Sequence, residues 1–132
     1  MIDRYKLTLM LYTDGVQLTE GSDVSLWTLQ FIILEVPRHL RFKYHGVSAV
    51  WIENQHPRMN TFLKPCVESL QKLGKTGVEW IHPTSELSFS SLCFAPVICA
   101  DAPAKAQIQH ILSHGGKYCC PCCEQKNKET PC

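Results

Sequence analysis

The stretch VICADAPAKAQIQHILSHGGKYCCPCC, Val97 to Cys123, runs from apolar residues to an acid, Asp101, then through a helix-like segment to a cluster of cysteines. Its first residues close a longer apolar run, LSFSSLCFAPVICAD (Leu87 to Asp101), which reads as a strand. Pro96 inside that run marks an edge position or a bulge, because proline has no N–H to give to a ladder. APAKAQIQHIL reads as a helix with Pro103 in its first turn. Ala104, Ile108, Ile111 and Leu112 then face the core, and Gly115 and Gly116 end the helix.

Upstream, LTLMLYTDGV (Leu7 to Val16) alternates and reads as a strand ending at Asp14, with Gly15 opening a turn. SLWTLQFIILEV (Ser25 to Val36) is a second strand, stopped by Pro37, and VSAVWI (Val47 to Ile52) is a third. The period then changes. Met59, Phe62, Leu63, Cys66, Leu70 and Leu73 recur at helical steps, with Asn60 placed to cap and Gly74 placed to stop. Pro65 moves the expected start of the regular helix toward Lys64. The order is strand, strand, strand, helix, strand, helix, which implies an α/β fold with a mixed sheet.

The 132 residues suffice for one domain with a core. Apolar content of 45% and charged content of 19% exclude a disordered chain. The net charge of +1 means that any DNA partner is met by a local patch. The start lacks the apolar core of a secretory signal, and no segment is long enough to span a membrane. The expectation is an intracellular, non-secreted chain whose eight cysteines stay reduced.

Two kinds of chemistry stand out. Carboxylates at the ends of neighbouring strands supply hard oxygens for Mg²⁺ or Mn²⁺, so Asp14 and Asp101 are candidate ligands. Both also have ordinary local uses, since Asp14 with Gly15 is a common turn pair and Asp101 is a good helix N-cap. Cys120 and Cys123 have C-x-x-C spacing, and Cys119 and Cys122 make an overlapping pair. Two thiolates at that spacing share one tetrahedral Zn²⁺, with His114, His110 or Cys132 able to complete it. The pair follows a helix and a Gly-Gly turn, which disfavours redox use. Arg38, Arg41 and Lys43, in the basic link after the second strand, are candidate phosphate contacts. Trp27, Trp51 and Trp80 read as core or rim aromatics.

A resemblance covers most of the chain. Its residues are Tyr12-Thr13-Asp14-Gly15, Ser25-Leu26-Trp27, LEVPRHLR from Leu34, MNTFLKP from Met59, Gly77-Val78-Glu79-Trp80, Asp101-Ala102-Pro103-Ala104 and HGGKYCCPCC from His114. In this order they resemble the central catalytic region of CACTA (En/Spm-type) transposases and their animal transposon-derived relatives. The resemblance implies an RNase H-like sheet over residues 1–114, incomplete at its C-terminus, followed by a Cys-rich zinc-binding knuckle and polar tail over 115–132. It gives Asp14 and Asp101 the role of catalytic acids binding Mg²⁺ or Mn²⁺ for DNA strand cleavage and transfer at transposon ends. It matches Cys120 and Cys123 to the C-P-x-C pair and places the protein in the nucleus.

The departures are Thr28 where the family has proline, Ile52 to Pro57 in place of a glycine-containing loop, and the extra cysteines. The third acid of the family lies on a later helix with no counterpart here, since Glu124 and Glu129 fall in a polar tail. The expectation is a fragment or descendant inactive alone, self-associating through an uncovered sheet. The alternative is a zinc-stabilised nucleic-acid or protein binding module without catalysis.

Overall fold

A computed structural model describes residues 4–18 and 24–111. The elements are β1 (Arg4–Gln17), β2 (Ser25–Ile33), β3 (Gly46–Glu53), α1 (Met59–Thr76), β4 (Val78–Ile81), β5 (Ser88–Ala100) and α2 (Ala102–Gln109). They form an α/β fold with one five-stranded mixed sheet in the order β3-β2-β1-β5-β4. Among the described residues the β1–β5 pair is parallel, and the β1–β2, β2–β3 and β4–β5 pairs are antiparallel.

Side-chain alternation gives the sheet two different faces. On one, Leu9, Leu11 and Thr13 of β1 and Trp27 and Leu29 of β2 meet the helices. The helices contribute Met59, Phe62 and Cys66 from α1 and Ala104 from α2 to the same cluster. The intervening residues Met10, Tyr12 and Asp14 occupy the other face, opposite Ile32, Gln30 and Thr28 of β2.

Several element ends differ from the sequence expectations. β1 continues through Gly15 to Gln17 instead of turning after Asp14. Gly15 pairs with Trp27, and a Cβ on Gly15 would lie 2.4 Å from the Trp27 indole. The glycine is there for ring clearance within a strand.

α1 starts at Met59 with Arg58 as its N-cap residue and no side-chain cap. Asn60 lies inside the helix and contacts His110 instead. Pro65 sits within α1, and the helix passes Gly74 to stop at Gly77, whose φ of 77° is the left-handed conformation glycine takes readily. α2 is also shorter than expected, because His110 turns left-handed at φ 53° and Ile111 falls outside it.

The expected order omitted β4. Its four residues are all exposed, so hydrophobic patterning does not announce them. The strand forms because Trp80 stacks on Phe89 with ring centroids 5.0 Å apart and gives its indole N–H to Ser91 Oγ at 2.9 Å. Pro96 behaves as expected, lying where the β1–β5 register shifts between the Phe94 and Val97 pairs.

The turn after β2 is tied back to β1 by charge. Both Glu35 carboxylate oxygens accept from the Thr8 N–H, at 2.9 and 3.0 Å. Burial alone pushes the Glu35 carboxyl up. The Thr8 hydrogen bonds and the nearby Arg41 charge outweigh it, and the group titrates below its ordinary value. A depressed folded value gives stability that is full above the ordinary carboxylate range and is lost as pH falls through the folded value. Glu35→Gln should therefore have a lower thermal midpoint at neutral pH and a flatter decline below about pH 4 than the parent. Parallel curves for the two proteins over that range would show that Glu35 is not coupled to folding.

Candidate metal and nucleic-acid site

The parallel pairing of β1 and β5 brings the two candidate acids to one place. Thr13 and Ala100 are register partners at the end of the ladder; Asp14 follows Thr13 within β1, and Asp101 follows Ala100 just past the end of β5. Neighbouring strands run about 4.8 Å apart. Tyr12 and Asp14, two residues apart on β1, share one face of the sheet. The Tyr12 hydroxyl donates to Asp14 Oδ2 at 3.1 Å. The phenol is pushed above its ordinary value first by that hydrogen bond, then by the Asp14 charge, desolvation and the Asp101 charge.

Each acid already has a local partner. Asp14 Oδ1 accepts the Gly15 N–H at 2.8 Å. Asp101 caps α2, with Oδ1 accepting from Ala104 N at 2.8 Å and Pro103 in the first turn. The N-cap reading of Asp101 is thus correct, and it leaves Oδ2 without a hydrogen bond among the described residues. The donor set is two hard carboxylates, each with one oxygen, Oδ2, that accepts no backbone hydrogen bond among the described residues. That chemistry fits Mg²⁺ or Mn²⁺ completed by water or phosphate oxygens. Among the described residues no group of three or more His, Cys, Asp or Glu side chains converges to hold a metal.

The other candidates are distributed differently. Cys119, Cys120, Cys122, Cys123, Cys132 and His114 lie outside the described residues, as do Glu124 and Glu129. His110 is at the C-cap of α2, with Nε2 3.1 Å from Asn60 Oδ1. An amide oxygen only accepts, so Nε2 is the donor in this contact.

Arg38 and Lys43 are exposed in the turn between β2 and β3. Arg41 is used inside that turn: its Nε donates to the Val36 carbonyl at 2.8 Å and its Nη2 to the Leu34 carbonyl. Tyr12 is the site residue that reasoning from sequence missed. Its i, i+2 spacing to Asp14 within a strand was the available signal, since that spacing puts both on one face.

No family model matches this chain, and no curated protein matches it. Among the described residues, no helix is long and apolar enough to cross a membrane.

Proposed function

We propose that the chain is a fragment or descendant of a transposase-like catalytic domain with an RNase H-like sheet, acting on DNA through Asp14 and Asp101. The observation that supports this reading is the β1–β5 register, in which Thr13 pairs with Ala100, so that Asp14 within β1 and Asp101 just past the end of β5 follow on neighbouring parallel strands. The order of motifs along the chain adds the family resemblance.

A divalent cation bound there would neutralise phosphate charge and activate water for attack on a phosphodiester. Asp14 and Asp101 supply its anionic ligands, and Tyr12 orients Asp14 by holding Oδ2. Arg38 and Lys43 supply positive charge for the DNA backbone at the far end of β2. A third acid does not join the pair among the described residues, so the isolated chain binds the cation weakly and cleaves poorly.

The Cys120 and Cys123 pair, with His114 and His110 as further donors, is proposed to hold Zn²⁺ on the strength of its spacing. Nuclear localisation and self-association through the helix-free sheet face follow from the same reading. That face carries exposed Tyr12, Val50 and Val97.

The test is Mn²⁺ titration followed by electron paramagnetic resonance, with a nicking assay alongside. One Mn²⁺ site that disappears in Asp14→Asn, with little nicking, is the expected result. Mn²⁺ binding that Asp14→Asn leaves intact overturns the site. Efficient nicking by the isolated chain overturns the inactive-fragment reading.

A further inference from the structure

We propose that the cleft beside the carboxylate pair receives an unpaired nucleobase of single-stranded DNA. This deepens the DNA reading above and rests on it, naming what the strand contacts next to Asp14 and Asp101. The cleft is about 280 Å³ and is lined by Met10, Tyr12, Gln30, Ile32, Phe42 and His45, among others. That is at the small end of ligand clefts, which run from roughly 300 Å³ upward, and suits one flat ring system.

Its construction supports that occupant. The floor is two cross-strand pairs on the sheet face opposite the helices, Tyr12 with Gln30 and Met10 with Ile32. Phe42 and His45 come from the turn between β2 and β3. Phe42 is 78% exposed, so its ring is open to a ligand that enters the cleft.

Aromatic rings stack on any base, and an amide and an imidazole provide polar edges. Gln30 gives one amide hydrogen to Thr28 Oγ1 at 3.1 Å and keeps its oxygen as an acceptor. His45 Nδ1 lies 2.8 Å from the Phe42 carbonyl, which only accepts, so Nδ1 carries the proton and the neutral ring keeps Nε2 as an acceptor. Base amino and imino groups are the donors that match these acceptors.

Charge is complementary as well. Arg38 and Lys43 sit in the same turn as Phe42, and Lys43 lies over the Tyr44 ring at 5.9 Å. Tyr12 joins the two sites, lining the cleft while its hydroxyl holds Asp14. A strand whose base enters the cleft thus has its phosphates between the basic turn and the carboxylates.

The experiment compares a short single-stranded DNA with the same backbone made fully abasic, by fluorescence anisotropy at fixed salt in EDTA. The base-containing strand should bind about tenfold more tightly, the scale of one base stacked on an aromatic side chain. Phe42→Ala should bring it down to the abasic affinity, and Phe42→Trp should restore the difference. Equal binding of the two strands, or an equal loss on both in Phe42→Ala, overturns the proposal and leaves a contact based on charge alone. Because EDTA removes divalent cations, this result is independent of the Mn²⁺ titration. Mn²⁺ binding without base dependence sinks the cleft and spares the carboxylate site, and the reverse result sinks the metal reading.

Discussion

Trp27→Ala is expected to destabilise the protein by about 3–5 kcal/mol in urea denaturation, the usual cost of deleting a large core aromatic. Small domains have only about 5–15 kcal/mol in total, so much of the variant should be unfolded at modest urea. Trp27 is 4% exposed and joins Leu29, Met59, Phe62, Cys66 and Ala104 in one cluster. It is where β2, α1 and α2 meet over β1.

The indole also decides what can stand at position 15. A Cβ there would come within 2.4–2.9 Å of three indole carbons. Gly15→Ala alone should therefore cost about 1–3 kcal/mol, the range for an overpacked core. In the Trp27→Ala background the same change meets no ring, and its cost should vanish or reverse. Additive losses in that double-mutant cycle would show that the ring does not lie over Gly15 in solution. Trp27 Nε1 is buried without a hydrogen-bond partner among the described residues. Trp27→Phe, which keeps most of the apolar area and removes the orphaned donor, should be far milder than Trp27→Ala.

The same pair explains why the end of β1 was misread from sequence. Asp14 and Gly15 have the composition of a turn, and the local signal is correct as far as it goes. The competing requirement is tertiary and comes from Trp27 on another strand. β4 was invisible for a similar reason, since VEWI is short and wholly exposed and depends on Phe89 and Ser91 across a hairpin. By contrast, the three- and four-residue spacing of Met59, Phe62 and Cys66 shows directly in the buried face of α1.

The candidate site was half legible. An acid followed by Ala-Pro is a local N-cap signal, and Asp101 caps α2 as that signal requires. That Asp14 lies beside it follows from the parallel β1–β5 register, which is a long-range pairing with no local trace in either strand. Arg41 shows the opposite case. Its charge suggested a phosphate contact, but a guanidinium has enough donors to serve carbonyls that the turn leaves unpaired, and it serves Val36 and Leu34.

Asp101 has two separable roles, and two substitutions should pull them apart. Asparagine caps a helix about as well as aspartate, because its side-chain oxygen still accepts the N3 N–H. Asp101→Asn should therefore keep the Ala104 hydrogen bond and unfold at nearly the parental urea concentration. It carries no charge, so Mn²⁺ affinity should fall by at least about tenfold, ~1.4 kcal/mol, as expected when one of two anionic ligands is removed. Asp101→Ala loses both roles: a similar loss of Mn²⁺ affinity plus about 1 kcal/mol of stability from the missing cap. The pattern that matters is stability kept and cation lost in the asparagine variant. If Asp101→Asn binds Mn²⁺ as the parent does, Asp101 is only a helix cap. Its position next to Asp14 would then follow from how α2 leaves β5, and the two-carboxylate reading of the site would fail.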